Sequence, residues 1–136
     1  MNKITFTNSI TGETATVKVG FSWILFFFSS FFGIPLFLRK LYLFGVIMLI
    51  LETTNIILVV FSESYYSYYY SELVFLMYLL QFGMFGLNIF LGIRGNKITA
   101  LNYIKLGYKI TNKEDYKINL VKESWNLPDT AFEKIG

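Results

Sequence analysis

Two stretches, Leu41–Phe61 ("LYLFGVIMLILETTNIILVVF") and Leu73–Ile93 ("LVFLMYLLQFGMFGLNIFLGI"), limit what this chain can fold into more than any other feature. Each has twenty-one residues; the first holds one carboxylate, Glu52, and the second no charge. At a helical rise of about 1.5 Å per residue, both reach about 30 Å, the thickness of a bilayer's hydrocarbon core. The chain as a whole is 54% hydrophobic and only 15% charged, well away from the composition of a soluble domain. The sequence therefore predicts an all-α integral membrane protein with two transmembrane helices. Its one expected exception is a short β-hairpin at the N-terminus, where "KITFTNSITGETATVKV" alternates apolar and polar residues around a turn containing Asn8, Ser9 and Gly12. An isolated hairpin is marginal in water, so it is expected to lean on the membrane surface or on the C-terminal tail.

A third apolar segment, Phe21–Leu38, has eighteen residues interrupted by Ser22, Ser29, Ser30, Gly33 and Pro35. It either spans as a third helix or dips in and returns. Lysine and arginine beside short apolar segments favour the cytoplasmic side. If the segment returns, every basic residue lies on one side and the loop "SESYYSYYYSE" between the two long segments has none, so the broken, re-entrant arrangement is preferred. The expected organisation is an N-terminal hairpin (1–20), a membrane domain (21–93) and a basic, amphipathic cytoplasmic tail (94–136). The location that follows is the cytoplasmic (inner) membrane, multi-pass, with the C-terminus on the cytoplasmic side.

Candidate site residues fall into two groups. Glu52 opens a polar cluster with Thr53, Thr54 and Asn55 near the middle of the second segment. A carboxylate at that depth costs about 2.5–3.5 kcal/mol on insertion scales and needs a partner or a proton. In an antiparallel pairing of the two long segments, Glu52 sits level with Phe82, and the adjacent Gln81 is its expected hydrogen-bond partner. Gly45, Met48, Glu52, Asn55 and Val59 share one helical face, and Met77, Gln81, Met84, Asn88 and Gly92 share another. The second group belongs to the lipid interface. Tyr65, Tyr66, Tyr68, Tyr69 and Tyr70 suit the headgroup layer on the external side, and Arg39, Lys40, Arg94, Lys97, Lys105 and Lys109 suit an anionic cytoplasmic leaflet. In the tail, Ile98, Leu101, Ile104 and Tyr108 recur at helical intervals, as in a helix lying on the interface.

"VKVGFSW" at Val17–Trp23, the Phe-rich run to "PLFLRKLY" at Pro35–Tyr42, and "GNKITALNYIKLGYKI" at Gly95–Ile110 resemble the HrgC-like family of small bacterial and phage-associated membrane proteins of uncharacterised function. The resemblance covers roughly residues 12–110 and implies a membrane location and fold, with no activity attached.

Chemistry is constrained by what is missing. Without histidine or cysteine, neither HExxH nor CxxC can occur, and the chain has neither a phosphate-binding GxxxxGK[ST] nor a dinucleotide GxGxxG motif. No catalytic residue, metal ligand or cofactor is expected. The net charge of +3 is explained by basic residues placed beside membrane segments, so lipid rather than nucleic acid is the expected anionic partner. With the phage association that the resemblance implies, the expected function is a non-enzymatic membrane accessory protein of immunity or phage-exclusion type, acting by contact with another envelope component. Such a protein works by contact with another membrane protein or as a homo-oligomer. The alternative is an oligomeric ion or proton channel using Glu52.

Overall fold

A computed structural model describes residues 2–64, 70–111, 115–127 and 129–132 of the chain. It divides into two compact units, one made of residues 1–22 with 93–136 and the other of residues 23–92.

The first unit begins with β1 (Lys3–Asn8) and β2 (Thr14–Lys18), joined by the expected turn. Asn8 organises that turn, because its side-chain oxygen accepts from the backbone N–H groups of Ile10 and Thr11 at 2.9 and 3.2 Å. Gly12 supplies the left-handed backbone that closes it, at φ 70°. The two strands pair antiparallel, with Lys3 opposite Lys18 and Thr5 opposite Thr16. A third strand, Tyr108–Ile110, pairs antiparallel with the other edge of β1, placing Phe6 opposite Ile110 and Thr7 opposite Lys109.

The expectation of an all-α protein is therefore corrected: the chain is mixed α/β, with a three-stranded antiparallel sheet in the order β2-β1-β3. The hairpin alone would leave Ile4, Phe6 and Val17 uncovered on one face. β3 and two helices cover them. The core holds those three residues with Ala100, Tyr103, Tyr108, Ile110, Val121, Trp125 and Leu127. Ala100 and Tyr103 come from the end of a long helix running Tyr70–Lys105, and Val121 and Trp125 from the helix Asp115–Trp125. Burying each large apolar side chain contributes about 1.5–3 kcal/mol. A short 3₁₀ turn, Asp129–Ala131, brings Phe132 into a parallel bridge with Ile110.

The second unit opens on α1 (Trp23–Phe28) and α2 (Ile34–Leu38). The Phe21–Leu38 segment thus forms two short helices, neither of spanning length. Phe32 and Gly33 turn the chain between them at φ 50° and 68°. After α2, Lys40 adopts a left-handed φ of 60°, the Lys40 N–H donates to the Phe37 carbonyl, and the Leu41 N–H donates to the Leu36 carbonyl, both at 2.9 Å. That is a Schellman stop, and buried Leu36 and Leu41 are the apolar pair that accompanies it.

The chain then enters α3 (Tyr42–Ser64), and α4 (Tyr70–Lys105) follows; the helix Asp115–Trp125 is α5. Both α3 and α4 are long and apolar enough to cross a membrane. Their outward residues are large and apolar: Leu43, Ile50, Phe75 and Phe82 are exposed, Phe82 to 77%. The N-terminal half of α3 lies against α2 at very close range. A Cβ placed on Gly33 would stand 2.6 Å from the Gly45 carbonyl oxygen, and one on Gly45 would stand 2.9 Å from the Phe37 ring.

Candidate functional site

The polar residues of the 23–92 unit fall on three elements. On α3, Gly45, Met48 and Ser62 are buried, with Glu52, Asn55 and Val59 half-buried between them, and Leu41 just before the helix is buried too. This is the face the helical spacing identified. Thr53 and Thr54 lie off it, exposed. Each returns its hydroxyl to the carbonyl four residues back, Leu49 at 2.7 Å and Ile50 at 2.8 Å. That is how a hydroxyl is satisfied on an apolar helix surface.

On α4 the inward stripe differs from the one expected. Met77 and Leu80 are half-buried and Met84, Leu91 and Gly92 are buried, whereas Gln81 is exposed. A helix advances 100° per residue, which turns Gln81 to the edge of the stripe centred on Met84. Among the described residues Gln81 makes no hydrogen bond, and none joins it to Glu52.

The polar contact that does form is one the spacing did not indicate. The Asn88 side-chain amide donates to the Ser30 hydroxyl at 2.5 Å, connecting α4 to the turn between α1 and α2. The adjacent Ser29 is fully buried and donates to the Leu25 carbonyl. The serines that interrupt the first apolar segment therefore sit at the hairpin's tip, where one satisfies its own backbone and the other receives α4. The only signal in the sequence was the pair of adjacent serines amid phenylalanines. Two acceptors remain buried without a hydrogen-bond partner among the described residues, the side-chain oxygens of Asn55 and Asn88.

In the sheet unit, Asn96 and Thr99 are buried polar residues that the sequence reading passed over. The Asn96 amide donates to the Gly20 carbonyl at 2.8 Å, and the Thr99 hydroxyl donates to the Gly95 carbonyl at 2.7 Å. Tyr108 is buried and donates its hydroxyl to Glu13 at 2.5 Å, joining β3 to the hairpin turn. The tail expected to lie on an interface through Ile98, Leu101 and Ile104 instead continues α4, and its most buried face is Asn96, Thr99, Ala100 and Tyr103.

Of the basic residues expected at the lipid interface, Arg94, Lys105 and Lys109 are exposed, and Arg39, Lys40 and Lys97 are half-buried. Tyr65, Tyr66, Tyr68 and Tyr69 lie outside the described residues. Tyr70 begins α4, and its side chain lies outside the description. No group of three or more acidic side chains placed to hold a metal ion occurs among the described residues. A scan against protein-family models finds no match, and searches of curated proteins and of solved structures also return none.

Proposed function

We propose that this is a small multi-pass protein of the bacterial cytoplasmic membrane, with both chain ends in the cytoplasm, acting without catalysis by contact with another membrane protein. The pairing of β1 with β3 supports that topology. Lys3–Asn8 and Tyr108–Ile110 belong to one sheet and so to one side of a membrane. The chain between them must cross an even number of times; α3 and α4 supply two crossings, and the short α1 and α2 supply none. Basic residues at 3, 18, 39, 40, 94, 97, 105 and 109 then share one side, the cytoplasmic one by the positive-inside rule.

Gln81 supports action by contact. It is exposed in the middle of an apolar helix with no hydrogen bond among the described residues, and lipid offers none. A neighbouring transmembrane helix does. A photo-crosslinking residue at position 81, used in native membranes, should trap a discrete membrane-protein adduct, while the same residue at Phe75 should trap mainly lipid. Lipid-only adducts at both positions would refute contact through Gln81. The resemblance to the HrgC-like family makes phage exclusion the setting to examine first. Deletion that leaves phage entry and envelope stress unchanged would count against that setting.

A second reading rests on Glu52 and Asn55, neighbours on the inward face of α3, and on the unpartnered Asn55 oxygen. It makes the protein a subunit of an oligomeric proton or ion path. Liposome flux abolished by Glu52→Gln would favour it, and absence of flux would end it.

A further inference from the structure

The outward face of the sheet has an unusual composition. Ile4, Phe6, Ala15, Val17, Tyr108 and Ile110 point into the core. Strand alternation then sends Lys3, Thr5, Thr7, Thr16, Lys18 and Lys109 outward. None of the outward positions on the three strands is acidic; the nearby carboxylate, Glu13, is engaged by Tyr108. Lys3 and Lys18 stand directly opposite each other in the β1–β2 register, both exposed. Facing like charges destabilise a strand pair. No ion pair relieves Lys3, Lys18 or Lys109 among the described residues.

We infer that this lysine-bearing face binds the anionic headgroups of the cytoplasmic leaflet, its ammonium groups meeting lipid phosphates, while the Thr7 hydroxyl is already engaged by the Thr111 hydroxyl at 3.1 Å. The inference rests on the membrane placement proposed above. Charge complementarity selects an anion, and chain connectivity selects the lipid source. Only four residues lie between Lys18 and Trp23, where α1 begins, so five Cα–Cα steps join them. Even fully extended, they hold the hairpin within about 17 Å of the entry to the apolar segment. A lysine near an anionic leaflet gains about fivefold in partition.

The test uses the full chain, which has no native cysteine, in nanodiscs of phosphatidylcholine alone or with about 30% phosphatidylglycerol. A fluorophore on Thr16→Cys reports approach to headgroup spin-labelled lipid. A second one on Phe82→Cys, read against acyl-chain spin labels, reports insertion independently. The expected result is quenching at position 16 several-fold stronger with phosphatidylglycerol. Lys3→Ala, Lys18→Ala and Lys109→Ala together should abolish that gain, and the three corresponding arginine substitutions should retain it. Equal quenching in both lipids, or a gain that survives the triple alanine variant, overturns the inference. Quenching at position 82 without a lipid-dependent response at position 16 overturns this inference alone, whereas no quenching at position 82 refutes the membrane placement as well. Preferential binding of an oligonucleotide or an acidic peptide, with no response to phosphatidylglycerol, assigns the face to another partner and also overturns it.

Discussion

The Asn88 amide and the Ser30 hydroxyl, 58 residues apart in sequence, meet at 2.5 Å. This bond ties the tip of the α1–α2 hairpin to α4. Side-chain hydrogen bonds between helices in apolar surroundings are worth about 0.6 kcal/mol and rarely above about 1.7. Asn88→Ala and Ser30→Ala should each lower stability, and a double-mutant cycle read by unfolding in mixed micelles should give a coupling of about 0.5–1.5 kcal/mol. Strictly additive effects would show that the bond contributes nothing.

Gly33 is the position in this hairpin least able to accept a side chain. Its φ is 68°, and an added Cβ would meet the Gly45 carbonyl, part of a helix backbone, at 2.6 Å. Gly33→Ala should cost at least about 2–3 kcal/mol. Gly45→Ala meets the far edge of the Phe37 ring, which can rotate away, so its cost should be smaller. Nothing lies within 4 Å of a Cβ on Gly83 or Gly86. Alanine at either should leave packing undisturbed and raise stability by about 0.5–1 kcal/mol in a thermal melt, through helix propensity.

Lys40 occupies the left-handed position of the stop after α2, at φ 60°. Glycine adopts that conformation without the Cβ strain that costs other residues about 1–2 kcal/mol. Lys40→Gly should therefore raise thermal stability by up to about 1 kcal/mol, after glycine's greater freedom in the unfolded chain is deducted. Lys40→Val should lower it. A destabilised glycine variant would mean that the lysine side chain matters more than the turn geometry.

In the sheet unit, Tyr108→Phe removes a hydrogen bond to a carboxylate and should cost about 1.5–3 kcal/mol. Trp125→Ala opens a cavity in the core and should cost about 3–5 kcal/mol. The Tyr108→Phe effect should appear in Trp125 fluorescence, and both effects in limited proteolysis of residues 93–136, while the helical circular dichroism of α3 persists. Loss of α3 helicity in step with either variant would show that the two units do not melt separately.

How far the sequence could be read follows from the range of its interactions. α3 and α4 were legible because hydrocarbon thickness selects a run length. The hairpin was legible because Asn8 and Gly12 are turn residues between alternating strands. β3 was not, since three residues, "YKI", are too short for a period-two signal, and its evidence is pairing with Phe6, Thr7 and Asn8 across nearly the whole chain. Missing that pairing made the protein look all-α and left the fate of Phe21–Leu38 to an argument from lysine counts. On the site, helical spacing placed Glu52 and Asn55 on the inward face of α3 but carried Gln81 one step too far around α4. Ser30 could not be matched to Asn88 from sequence, because that match depends on where the hairpin turns.

In the proposed topology both ends of the chain share the cytoplasmic side while α3 and α4 cross the membrane. Single cysteines at Thr16, exposed on β2, and at Ser64, the last residue of α3, can be labelled in intact cells with an impermeant thiol reagent, since the chain has no cysteine of its own. Labelling at position 64 and not at position 16, with position 16 becoming reactive once the cells are permeabilised, is the expected result. Labelling at both positions in intact cells would place the hairpin outside and contradict the account.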